Sequence, residues 1–168
     1  MDYKTELKKI MIFKYLEDSM LDEILKISEI ETYGEDDFII SESETSQYLY
    51  AVLYGSVNVS VTEKKKDVFI CTIGEGDVFG EAGIFLKVKR TANVVSSEKT
   101  TILKIHRKNL LEFIKKYPES GIKLLMIIIY SLLKKLREAN QELAFERKTD
   151  IEQDDIDDIV KNLMENGL

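Results

Sequence analysis

Apolar positions along the chain change their period twice. Over residues 3–16, Leu7, Ile10, Met11 and the Lys14–Tyr15 pair are spaced as on one helical face. Ser19, followed by Asp22 and Glu23, resembles a helix start, and Met20, Leu21, Ile24, Leu25 and Ile27 continue the pattern. From residue 28 to 106 the period shortens. Phe38–Ile40 and Tyr48–Tyr54 read as strands, the second ending at Gly55. Val57, Val59 and Val61 then alternate with Ser56, Asn58 and Ser60, the period of two of a half-buried strand. Glu63–Asp67 predicts a charged hairpin turn, Val68–Ile73 a returning strand, and Gly74–Asp77 another turn. Residues 91–97 and 100–105 are again rich in β-formers, whereas Ser41–Gln47 is polar and loop-like. Many short strands at this spacing predict a sandwich or barrel, most simply a jelly roll.

The helical period returns at Arg107. Residues 107–116 predict a short helix stopped near Pro118, and Pro118 or Glu119 opens a long one. Ile122, Leu125, Ile129, Leu132, Leu136, Ala139 and Leu143 step by three and four, an apolar seam of three heptads. Leu124–Tyr130 is apolar nearly all round and needs cover on two sides, one from its own barrel and one from a second copy of the helix. Residues 152–165 predict an acidic amphipathic helix with Ile156, Ile159, Val160, Leu163 and Met164 on one face.

Composition narrows the function classes. The chain has 168 residues, 44% of them hydrophobic, enough for one core without a metal or disulfide staple. A single cysteine, Cys71, forms no internal disulfide and fits a reducing, cytoplasmic setting; it reads as a small buried hydrophobe. The single histidine, His106, rules out a His-clustered metal site and disfavours a catalytic triad and a cupin-type enzyme; it reads as a strand-end surface residue. No segment is long and apolar enough for a membrane span, and Met1–Ile10 carries three lysines without the apolar region of a signal peptide. The net charge is −7, and residues 150–168 hold seven acidic residues against one base, Lys161. No basic stripe is present to recruit a nucleic-acid backbone.

One segment carries candidate chemistry: Phe79-Gly-Glu-Ala-Gly-Ile-Phe-Leu-Lys-Val-Lys-Arg-Thr-Ala-Asn-Val94, set between two predicted strands. Gly80 permits a tight or left-handed backbone. Residues 81–85 can form a helical turn whose amides face an anion. Arg90 supplies a planar, permanently charged fork suited to phosphate, and Thr91 adds a hydroxyl. The Glu81 carboxylate can take a sugar hydroxyl, and Arg90 offsets the cost of keeping it partly buried.

This segment resembles the phosphate-binding cassette of the cyclic nucleotide-binding domain, the module of catabolite activator proteins, protein kinase A regulatory subunits and cyclic-nucleotide-gated channels. The pattern of Phe-Gly-Glu, two small or apolar residues, a variable stretch and Arg-small-Ala falls on Phe79, Gly80, Glu81, Ala82, Gly83, Arg90, Thr91 and Ala92. Tyr48–Val59 is similar to the family's strand–glycine–strand segment and Gly74–Phe79 to its lead-in. The resemblance covers about residues 8–140, with Lys89 standing where the family usually has proline.

The resemblance implies an α+β fold: an eight-stranded antiparallel jelly-roll β-barrel flanked by N-terminal helices and a long C-terminal helix. Its parts would be N-terminal helices at 1–27, the barrel at 28–106 with its cassette at 79–94, a hinge helix and dimerisation helix at 107–147, and an acidic tail at 148–168. It implies a regulatory sensor of cAMP or cGMP, without catalysis, metal or cofactor. Gly80, Ala82, Gly83, Arg90, Thr91 and Ala92 would hold the cyclic phosphate and Glu81 the ribose. Val59, Ile70 and Cys71 would wall the pocket, with Ser131 and Lys135 placed for base contact. The expected partners are a second copy through helix 119–145 and a protein at the tail. The competing expectation is a dimeric interaction module in which Glu81 and Arg90 form a structural ion pair and nucleotide binding has been lost. Transcription factors of the family carry a helix-turn-helix domain after the long helix. Here only about 20 residues follow, with a strongly acidic balance, which predicts no direct DNA binding.

Overall fold

A computed structural model describes residues 3–86 and 88–165, with side chains through Phe145. The chain divides into two units, one through Ile128 and one from Ile129 onward.

The first unit opens with helix α1 (Tyr3–Leu7) and helix α2 (Asp18–Lys26). The helical face expected over 3–16 stops at Leu7. Beyond it the chain winds through tight turns in which the amides of Ile10, Phe13 and Leu16 each reach back three residues. The reason is packing: Leu7, Ile10, Ile12, Phe13 and Leu16 are all buried, and one helical stripe cannot bury Ile12 and Phe13 together with the others. The turn is also tied to the barrel, since the Met11 amide donates to the carbonyl of Gly76.

Eight strands follow: β1 (Ser28–Tyr33), β2 (Phe38–Ile40), β3 (Tyr48–Tyr54), β4 (Val57–Glu63), β5 (Lys66–Ile73), β6 (Val78–Phe79), β7 (Asn93–Ser96) and β8 (Thr100–His106). They form two four-stranded antiparallel sheets with strand orders β1-β8-β3-β6 and β2-β7-β4-β5, the expected jelly roll. Ile40, Tyr50, Val52, Val57, Phe79, Val94 and Ile102 make a shared core. Strand β3 is buried on both faces, because Leu49, Ala51 and Leu53 alternate with Tyr50 and Val52 and are covered too. Two-sided burial explains why this strand reads as an unbroken apolar run rather than an alternating one.

The β4–β5 hairpin closes through Lys64 and Lys65, both at positive φ, as a two-residue turn matched to strand twist requires. Strand β5 lies at the edge of its sheet and is exposed along nearly its whole length. Helix α4 (Arg107–Lys116) starts where expected. His106, at the end of β8, caps it by accepting the Lys108 amide on Nδ1 at 3.2 Å. Tyr117 ends α4, and Pro118 occupies the first position of helix α5, where its missing N–H costs nothing.

Helix α5 runs from Pro118 to Glu165, so the two helices expected on either side of residues 146–151 are one. Within the second unit, Ile129, Leu136 and Leu143 of the predicted seam are exposed, as are Leu133 and Phe145. The apolar face expected at Ile156–Met164 rests on side chains outside the described residues. Among the described residues, no helix is long and apolar enough to cross a membrane.

Candidate functional site

Pairing of β6 with β3 places the cassette. Tyr50 opposes Phe79 in register, and their rings stack at 4.9 Å with 5° between planes. The chain then turns sharply at Gly80, where φ is +78° and a Cβ would lie 2.9 Å from the Tyr50 ring and 3.0 Å from the Tyr48 carbonyl. Only glycine fits this combination of conformation and contact. Glu81 follows, buried, and leads into the single-turn helix α3 (Ala82–Phe85).

Arg90 comes back over this turn from the other end of the cassette and is 8% exposed. Its Nε–H donates to Ser46 Oγ at 2.9 Å, Nη1 to the Gly80 carbonyl at 3.0 Å and Nη2 to the Tyr48 carbonyl at 2.8 Å. Its Cζ lies 5.7 Å from the centroid of the Tyr50 ring, within cation–π range. Gly83 makes this placement possible, since a Cβ there would lie 2.6 Å from Nη1 and 2.8 Å from Cζ. Burial pushes the Tyr50 phenol up in pKa, and the Ser46 hydroxyl and the Arg90 charge pull it back.

The three partners of Arg90 are neutral oxygens. Among the described residues its hydrogen bonds all go to uncharged acceptors. A buried guanidinium is costly. It also keeps one N–H on each terminal nitrogen beyond these three bonds, a pair that matches two oxygens of a phosphate.

The other expected site residues are distributed unevenly. Gly80, Glu81, Ala82 and Gly83 share the one turn, the Arg90 side chain packs onto it, and Thr91 (exposed) and Ala92 (half-buried) follow Arg90 in the chain. The Gly83 amide, expected to face an anion, donates to the Gly80 carbonyl at 3.0 Å. Of the three pocket-wall residues, Val59 is half-buried and packs against the core. Cys71 pairs with Val59 and shares its face, yet it is exposed, which corrects its reading as a buried hydrophobe. Ile70 is 53% exposed and sits at the register shift between Val59 and Ser60. That irregularity leaves Ile70 without an opposing residue on β4. On α5, in the second unit, Ser131 is buried and Lys135 is exposed.

Sequence reasoning did not single out Ser46, Tyr48 or Tyr50 as parts of this site. Tyr50 carried a usable signal, as an inward position on a strand paired with the cassette. Ser46 carried none, being one hydroxyl in a polar loop, and Tyr48 contributes only its carbonyl.

In this jelly roll a buried arginine packs over a Gly-Glu turn, and its hydrogen bonds among the described residues all go to neutral oxygens. Residues 30–117 match the family model of the cyclic nucleotide-binding domain, and the chain belongs to that family. A cGMP-dependent protein kinase of Plasmodium berghei is 32% identical over 94 residues, which cover 56% of this chain and 10% of the kinase. A cyclic nucleotide-gated channel of Caenorhabditis elegans is 30% identical over 149 residues, covering 85% of this chain and 20% of the channel. The chain thus spans a tenth to a fifth of the length of these relatives. Among solved structures, the catabolite activator protein of Thermus thermophilus superposes with a TM-score of 0.69 at 26% identity, covering 80% of this chain and 62% of that one. A cyclic nucleotide-binding domain from Methylobacillus flagellatus superposes with a TM-score of 0.73 over 81% of this chain and 79% of its own, at 24% identity, and so supports the fold.

Proposed function

We propose that the chain is a non-catalytic sensor of cAMP or cGMP. The observation that carries this reading is the buried Arg90 guanidinium, whose hydrogen bonds among the described residues go to neutral oxygens. The cyclic phosphate sits against its two remaining N–H groups and the cassette amides at Ala82, Gly83, Thr91 and Ala92, and Glu81 takes the ribose hydroxyl. The Gly83 amide now donates its one N–H to the Gly80 carbonyl, so a phosphate that takes this donor loosens the cassette turn. This differential contact lets the ligand shift the populations of two states, which α4 and α5 report by moving. The exposed seam residues Ile129, Leu136 and Leu143 support self-association through α5, and the lone thiol fits a cytoplasmic setting.

The test is calorimetric titration with cAMP and cGMP of the wild type and Arg90→Leu. A charged hydrogen bond contributes about 1.5–3 kcal/mol, so the substitution weakens binding by roughly 10- to 150-fold. Wild type that takes up neither nucleotide would favour a structural module instead.

A further inference from the structure

We propose that Ser46 is the positioning residue for Arg90, and that the loop carrying it clamps the guanidinium in its anion-ready orientation. The inference rests on the reading of Arg90 as the phosphate ligand and extends the site to a segment outside the cassette.

Two kinds of contact join the loop to residue 90. Along the backbone, the Arg90 amide donates to the Glu44 carbonyl at 2.8 Å and the Ser43 amide donates to the Arg90 carbonyl at 2.9 Å. On the side chain, Nε–H donates to Ser46 Oγ at 2.9 Å. Residues 43–46 therefore grip both the base and the head of one arginine. The base would be held as firmly without Ser46, but the head would be held by two hydrogen bonds instead of three.

The geometry of a planar group explains why. The carbonyls of Gly80 and Tyr48 bond only the terminal nitrogens, and with those two bonds alone the guanidinium plane can still rock about the line that joins them. A third contact, at Nε, removes that freedom. Its partners then come from three separate segments: the loop, the first residue of β3 and the cassette turn. A serine hydroxyl suits the task because it accepts from the cation without neutralising it. A carboxylate at 46 would pair with Arg90 and compete with an incoming phosphate. Ser46 hence fixes the direction of the arginine while leaving its charge for the ligand.

The experiment compares wild type, Ser46→Ala and Ser46→Thr by two measurements. The first is the NMR signal of the Arg90 Nε–H, assigned by its loss in Arg90→Lys, and its exchange rate with water. The second is calorimetric affinity for cAMP and cGMP. Ser46→Ala is expected to speed Nε–H exchange at least tenfold and weaken nucleotide binding about tenfold, with an unfolding midpoint close to that of wild type. Ser46→Thr, which keeps the hydroxyl, is expected to restore slow exchange and affinity. Unchanged exchange in Ser46→Ala overturns the proposal, as does a loss of affinity that Ser46→Thr fails to rescue. If no form binds nucleotide, the sensor reading fails, and the exchange rates alone decide whether Ser46 holds Arg90.

Discussion

Replacing Gly83 with alanine separates the roles of fold and site. The new Cβ would lie 2.6 Å from Arg90 Nη1, 2.8 Å from Cζ and 2.9 Å from Nη2. Ordinary contact begins at 3.4 Å, so the guanidinium must retreat by about 0.8 Å. That motion stretches its bond to the Gly80 carbonyl, which belongs to the same turn and now measures 3.0 Å. A hydrogen bond to a charged group contributes about 1.5–3 kcal/mol, so displacement of the head weakens nucleotide binding by roughly 10- to 150-fold. Folding stability moves little, because the weakened Gly80 bond is offset in part by the gain from alanine. Gly83 lies within α3, where alanine is favoured by about 0.5–1 kcal/mol, and the group that yields is the end of a long side chain. The unfolding midpoint should stay within a few degrees of wild type. Titration calorimetry and thermal unfolding read the two effects. The double variant Gly83→Ala/Arg90→Leu should bind no more weakly than Arg90→Leu alone, because both changes remove the same contact. Affinity of Gly83→Ala within twofold of wild type, or losses that add in the double variant, would refute the reasoning.

Two further outcomes follow from other parts of the molecule. Glu23 on α2 accepts from Lys26 and from the Tyr117 hydroxyl, which hold its carboxyl at about 2 against an ordinary 4.5. Its folded pKa is lowered, so its contribution to stability is complete above pH 4.5 and is lost as the pH falls towards 2. Thermal midpoints of Glu23→Gln should therefore fall less steeply than wild type across that window; parallel curves would show that the network contributes nothing. On α5, the double variant Ile129→Asp/Leu136→Asp should change the mass seen by light scattering from about twice 19.4 kDa to 19.4 kDa. A wild-type protein already at the smaller mass refutes self-association through this face.

Local pattern was sufficient for what depends on local pattern. The period change at residues 28 and 107, the runs Phe38–Ile40 and Tyr48–Tyr54, helix 107–116 and the Gly80–Arg90 cassette were all legible, since burial of alternate residues and glycine-dependent turns leave marks on neighbouring positions. Tertiary structure decided the rest. It broke the 3–16 helical face, because Ile12 and Phe13 are buried beside a turn of the barrel. It exposed Cys71 and Ile70, because β5 is an edge strand with a register shift, and strand order is set by partners far along the chain. It also brought Ser46, Tyr48 and Gly80 onto one guanidinium across separations of 44, 42 and 10 residues. A hydrogen bond closed over such distances is chosen by the packing of whole sheets, and two of its three acceptors are backbone carbonyls that no residue identity announces.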